Sequence, residues 1–183
     1  MTEIRPRLKE KYEKEIIKQL MDEYKYGNIM EVPRLKKITI NMGVGSATSN
    51  QKDLEAAVRD LTKISGQKPV ITKSKKSIAS FKVREGNSIG CKVTLRGNRM
   101  YEFLDRLLNI AMPRIRDFRG ISRKGFDGNG NFTLGLIEQT IFPEVDLEDS
   151  HIIKGMNITL TTSVSSDKDS LSLIEKFGFP FKK

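Results

Sequence analysis

Leu8, Tyr12, Ile16, Ile17, Leu20 and Tyr24 recur at helical spacing among charged residues, which predicts an amphipathic helix ending before Gly27-Asn28. Beyond Pro33 the period changes. Ile38, Ile40 and Met42 alternate with Thr39 and Asn41, the two-residue repeat of a strand with one buried face. Gly43-Val44-Gly45-Ser46 ends that strand, and Thr48, Ser49 or Asn50 can cap a second helix with Leu54, Ala57, Val58, Leu61 and Ile64 as its apolar stripe. Gly66 suits its C-terminal cap. Residues 69–72 read as a short extended piece and residues 77–84 as a second extended segment before the turn Glu85-Gly86-Asn87. Ile89, Cys91, Val93 and Leu95 then alternate with Gly90, Lys92, Thr94 and Arg96, the clearest strand in the chain, and the two runs beside the turn predict a β-hairpin.

A third helix is predicted from near Asn98, with Tyr101, Phe103, Leu104, Leu107, Leu108 and Ala111 apolar, to be stopped or kinked by Pro113. Residues 114–124 are basic and irregular, and Asp127-Gly128-Asn129-Gly130-Asn131 is a turn cluster. Residues 132–138 and 156–164 read as two more strands, and a last helix over about 166–177 is closed by Gly178 and Pro180. The order α-β-α-β-β-α-β-β-α predicts an α+β fold: a two-layer sandwich with a mostly antiparallel sheet of about five strands and helices packed on one face, RRM-like or ferredoxin-like. The opposite face would be free. Its outward residues in the clearest strands are Thr39, Asn41, Lys92, Thr94 and Arg96.

At 183 residues the chain suits a single domain over 1–183, with one mobile basic loop expected at about 72–81. Charge sharpens the picture. The formal net charge is +10 and the sequence pI about 9.7. Between positions 73 and 99 lie Lys73, Lys75, Lys76, Lys82, Arg84, Lys92, Arg96 and Arg99, against Glu85 alone. Ser74 and Ser77 sit among the lysines and can donate hydrogen bonds to phosphates that the lysines neutralise. Arg114, Arg116, Arg119, Arg123 and Lys124 form a second basic cluster. Cys91 is the only cysteine, so an intramolecular disulfide is impossible, and a reducing cytoplasm is the expected compartment. The N-terminal stretch lacks the apolar core of a signal peptide, and no apolar run is long enough to span a bilayer.

Candidate chemistry is thin. Gly43-x-Gly45 lacks the third glycine of a dinucleotide loop, because position 48 is Thr48; the pair reads as a strand-to-helix turn. Asp127-x-Asn129-x-Asn131 with Glu138 matches part of a calcium loop, but Phe132 stands where the obligatory glycine belongs. Cys91 and His151 together cannot make a structural zinc site, and no cofactor is implied. The acids Glu144, Asp146, Glu148 and Asp149 read as a solvated run or a contact for a basic partner. Few aromatics fall on polar faces and tryptophan is absent, so folded RNA, met through shape, phosphates and ribose hydroxyls, fits better than a single-strand stacking platform. The other readings are a small enzyme using Cys91 or the acidic loop, a peripheral membrane or protein-docking module, and another cytoplasmic RNA-binding or assembly protein.

Longer blocks carry a resemblance. Asn41-Met42-Gly43-Val44-Gly45, Gly66-Gln67-Lys68-Pro69-Val70, Lys75-Lys76-Ser77-Ile78-Ala79 and the run from Ile89 through Gly97 appear in order. Met100-Tyr101-Glu102-Phe103-Leu104-Asp105-Arg106, Arg116-Asp117-Phe118-Arg119-Gly120, Phe126-Asp127-Gly128 and Ile141-Phe142-Pro143-Glu144 follow. Over nearly its whole length the chain resembles the family of bacterial large-ribosomal-subunit proteins numbered five. The resemblance implies a non-catalytic ribosomal subunit of the cytoplasm, seated in the central protuberance beside other ribosomal proteins, that holds 5S ribosomal RNA and touches 23S RNA. It implies 5S contact by Asn41, Gly43, Gln67, Lys92, Thr94 and Arg96. It implies contact with P-site transfer RNA by the loop bearing Lys73, Ser74, Lys75, Lys76, Ser77 and Lys82. It also implies an intersubunit bridge to a small-subunit head protein, through Arg114 and Arg116 and through Phe142, Pro143, Glu144 and Asp146. Ser74, Ser80 and Asn129 depart from the family's usual alanine, glycine and basic residue.

Overall fold

A computed structural model describes residues 5–145 and 153–182. The first helix, α1, covers residues 7–24 as Arg7–Lys11, a π-turn Tyr12–Ile16, and Ile17–Tyr24. Its buried residues Leu8, Tyr12, Ile16 and Leu20 are spaced strictly by four. A regular α-helix of about 3.6 residues per turn would let such a row drift around the cylinder. The wider π-turn, bonded i→i+5, unwinds the helix locally and holds the row on one side. Lys25 ends α1 in the left-handed region at φ 53°, two residues before the glycine at which sequence places the stop.

Strand β1 is Leu35–Gly43, with Leu35, Ile38, Ile40 and Met42 buried. Helix α2, Gln51–Ser65, begins where the Asn50 side chain accepts from Lys52 N–H at 3.2 Å and ends on Gly66 at φ 64°. Strands β2, Val70–Lys73, and β3, Ser88–Leu95, follow. Helix α3, Gly97–Arg106, passes into a π-turn Leu107–Ala111 and a 3-10 turn Met112–Arg114 around Pro113. Strands β4, Phe132–Leu136, and β5, Met156–Thr162, precede α4, Asp167–Phe177, which stops on Gly178 at φ 100°.

The five strands form an open antiparallel sheet in the order β2-β3-β1-β5-β4, and with the helices this is the α+β two-layer class expected from the sequence. The hairpin differs from expectation. The hairpin partner of β3 is β2, with Val70 opposite Lys92 and Ile71 opposite Cys91, while β1 lies on its other side. Residues 77–84, read from sequence as an extended partner, instead belong to the connection between β2 and β3. Val70 to Thr72 is too short to announce itself by period, whereas residues 77–84 carry a strand-like run without the partner to make them one.

Contacts gather the chain into two compact units. The first comprises Met1–Ile38, Leu95–Leu134 and Thr159–Lys183; the second, Thr39–Thr94 and Gly135–Ile158. In the first, Tyr12 stacks on Phe177 with ring centroids 5.9 Å apart, and its hydroxyl donates to Pro33 O at 2.9 Å. In the second, Leu54, Ala57, Leu61 and Ile64 of α2 are buried, as are Ile40, Met42, Cys91 and Val93 of the strands.

Candidate nucleic-acid interface

Alternation along the strands decides which side chains of the second unit meet solvent. Asn41 on β1, Lys92 on β3 and Asn157 on β5 are exposed, and Thr39 and Thr94 are half-buried, while their chain neighbours Ile40, Met42, Cys91, Val93 and Ile158 are buried. The result is a polar surface of amides, hydroxyls and one ammonium, backed by an apolar layer. Close strand approach constrains one position of it. A Cβ on Gly90 would lie 2.6 Å from Met42 O and 3.0 Å from Thr72 Oγ1, so the position requires glycine. Gly43 is exposed at the end of β1, and Gln67 is half-buried just past α2, where its N–H and C=O both bond to the Ser65 hydroxyl.

Residues 74–87 join β2 to β3 and are tied by their own hydrogen bonds. Ser74 N–H donates to Asn87 O at 2.8 Å, and Ser74 O accepts from Gly86 N–H at 3.0 Å. Ser74 Oγ donates to Lys76 O at 2.7 Å, and Ser77 Oγ accepts from Glu85 N–H at 2.9 Å. Ile78 and Val83 exchange both backbone hydrogen bonds, at 2.9 and 3.2 Å, closing a turn of Ala79, Ser80, Phe81 and Lys82. Lys82 takes the left-handed conformation at φ 52°. Lys73, Lys75, Lys76, Lys82 and Arg84 are all exposed. Ser74 thus spends its hydroxyl proton within the loop, whereas Ser77 accepts there and keeps its O–H free to donate, beside five exposed cations.

In the first unit, Arg96 is exposed at the N-cap of α3, and Arg114, Arg116, Arg119, Arg123 and Lys124 are exposed. Arg123 pairs with Glu175 at 3.1 Å. The turn at 127–131 is closed by two acids. Asp127 accepts from Asn129 and Asn131 backbone N–H and from Asn131 Nδ2, and Asp167 accepts from Gly128 and Gly130 N–H. The Asn131 side-chain bond, then the backbone bonds, lower the Asp127 pKa below its ordinary value. Those bonds are the signature of an Asx turn, and among the described residues no group of acids, histidines or cysteines could hold a metal ion.

Enzymatic use of Cys91 meets a physical obstacle. Its side chain is 0% exposed, and burial pushes the thiol up to about 11, against a smaller opposing pull from Lys154. A protonated, solvent-free thiol is neither nucleophile nor metal ligand near neutral pH. Sequence gives no sign of Lys154's role. Only 7% exposed, it donates from Nζ to Asp53 O and from its backbone N–H to Gln139 Oε1. Burial lowers its pKa, opposed by the nearby Asp53 and Asp60 carboxylates.

Of the predicted site residues, the structure brings Asn41, Lys92 and Thr94 onto one surface within the second unit and places Arg96 in the first. Arg114 and Arg116 belong to the first unit, Phe142 to Glu144 to the second. Phe142 is 1% exposed and serves as a core anchor, whereas Pro143 is exposed and Glu144 half-buried. Asp146, Glu148, Asp149 and His151 lie outside the described residues. Sequence reading missed Asn157, which the strand period of β5 marks as outward; Phe81, within the loop expected to meet transfer RNA, sits 71% exposed among lysines.

A family model described as ribosomal protein L5 matches residues 28–84, and a second model, which describes the C-terminus of that ribosomal family, matches residues 88–181. A large ribosomal subunit protein uL5 of Clostridium acetobutylicum is 57% identical over 176 residues, covering 96% of this chain and 98% of the relative. The protein of the same name in Clostridium botulinum strain Hall is 56% identical over 178 residues, covering 97% of this chain and 99% of the relative.

Proposed function

The chain belongs to the ribosomal protein L5 family, and from that premise we propose that it is a structural, non-catalytic component of the large ribosomal subunit that binds 5S ribosomal RNA through the polar sheet surface of its second unit. One observation carries the reading: Asn41, Lys92, Thr94 and Asn157 form an uncovered, mostly neutral polar plane in a protein of net charge +10. A plane of this kind suits the wide, shallow minor groove of an RNA helix, where amides and hydroxyls meet ribose hydroxyls and base edges. The lysines and arginines around it supply attraction and salt dependence; the neutral groups supply orientation.

The finer assignments follow the same physics. The cationic loop at 74–87, with Lys73, Lys75, Lys76 and Lys82, is the surface offered to P-site transfer RNA. Arg114 and Arg116, and separately Pro143 and Glu144, are offered to 23S RNA, to neighbouring central-protuberance proteins and to a small-subunit head protein across the intersubunit bridge. The protein then works in the cytoplasm, as part of the ribosome.

Nuclease footprinting of the full chain on a 5S transcript, over about 50–200 mM salt, tests the main assignment. Asn41→Ala or Thr94→Ala is expected to weaken 5S binding by about 1–3 kcal/mol, the cost of leaving a partner polar group unsatisfied, without changing the salt dependence. Full-strength binding by both variants would remove the sheet face from the contact.

A further inference from the structure

The tip of the 74–87 connection is chemically mixed. Phe81 is 71% exposed and Ile78 is 46% exposed, while Lys75, Lys76, Lys82 and Arg84 around them are also exposed. Other phenylalanines behave differently: Phe103, Phe132 and Phe142 are among the largest fully buried side chains of the molecule. A bare aromatic ring is a poor choice for a loop whose only task is to hold phosphates, because every cation there does that better. A ring set among cations suits a ligand that is itself a polyanion carrying flat apolar planes. We propose that Phe81 is a base-stacking contact, which places its ring on an exposed nucleobase plane of folded RNA while the flanking lysines neutralise the phosphates on either side. The inference rests on the reading of this loop as the transfer-RNA surface and names the residue that gives it a geometric preference.

The backbone makes such a contact inexpensive. The Ile78–Val83 hydrogen bonds close the turn that carries Phe81, and Lys82 N–H donates to Ala79 O at 3.0 Å, so the ring sits on a turn already folded. Little ordering remains to be done on binding. Glu85 is the only acid in the connection, and its backbone N–H is engaged by Ser77 Oγ. One ring serves one base plane. That agrees with the scarcity of aromatics on the polar strands, where a longer unpaired strand would need several.

The chain contains no tryptophan, so Phe81→Trp in the full-length protein installs a sole reporter. Titration of that variant with a folded transfer-RNA transcript is expected to quench its emission, as stacking on a base does, with affinity equal to the parent or tighter. Phe81→Ala is expected to weaken transfer-RNA binding roughly 5- to 150-fold, the range for losing one base–aromatic stack. Its slope of log affinity against log salt should match the parent's, because no phosphate contact is lost. Phe81→Leu, apolar but not planar, should be weakened nearly as far. All three should bind 5S transcript and melt as the parent does, since the residue is exposed. Undiminished binding by Phe81→Ala, beside weakened binding by Lys75→Ala/Lys76→Ala, would overturn the stacking contact and leave the transfer-RNA surface standing. Failure of the parent chain to bind the transcript at any salt would remove that surface and the stacking contact with it. Blue-shifted, brightened emission on phosphatidylglycerol vesicles, with no quenching by the transcript at equal phosphate, would reassign the tip to lipid.

Discussion

The sheet face and the 74–87 connection lie in one unit of one basic protein, yet they are built for different work. On the sheet, side-chain direction is fixed by the pleat: Asn41 and Thr94 point outward because Ile40 and Val93 point inward. In the connection, direction is fixed by local hydrogen bonds, one donated by Ser74 Oγ and one accepted by Ser77 Oγ, and no residue of 74–87 is fully buried. The first surface is mostly neutral and rigid, and offers shape. The second is cationic with an aromatic tip, and offers reach. Charge density alone ranks the connection above the sheet, whose polar face carries a single cation among Thr39, Asn41, Lys92, Thr94 and Asn157.

The largest expected effect removes the support under the contrast. Phe142→Ala empties a fully buried site in the second unit and should cost about 3–5 kcal/mol of stability, read as a lower urea midpoint. Pro143→Ala, at an exposed position, should leave that midpoint nearly unchanged. Equal effects would return Phe142 to the surface contacts. A smaller effect sharpens the contrast itself. Lys75→Ala and Lys76→Ala should each reduce the salt slope of transfer-RNA binding by about 0.7–0.9, while the slope for 5S transcript stays put. Parallel loss of both slopes would merge the two surfaces into one. The smallest effect near neutrality is the pH response of the layer behind the strands. Burial raises Cys91 from 9.0 to about 11, and Tyr12 and Tyr101 of the first unit from 10.0 to about 12. The folded chain therefore holds these protons more tightly than the unfolded chain. Their contribution is fully present below pH 9, and stability falls as pH rises from about 9 through 11 to about 12. Cys91→Ser should flatten the first part of that fall in urea titrations at about pH 7, 9.5 and 11.

Legibility followed the range of the interaction. β1 was readable because from Ile38 to Gly43 its burial alternates residue by residue, and α2 because Asn50 and Gly66 cap it within one turn of its ends. The resemblance blocks fixed the family. What sequence could not deliver was contact between distant positions. The Ser77–Glu85 bond and the pairing of Val70 with Lys92 depend on residues brought together only by folding, so residues 77–84 passed for a strand. The burial of Phe142 and Lys154 was hidden for the same reason: nothing in a Phe-Pro-Glu or Ile-Lys-Gly string states what will pack over it.

The closure of residues 74–87 on themselves makes that segment a module. Lys73 and Ser88 already face each other at the end of the ladder, so a two-residue Asn-Gly link can rejoin them and shorten the hairpin without disturbing the strands. Removal of the segment would therefore separate the work of the connection from that of the sheet that carries it.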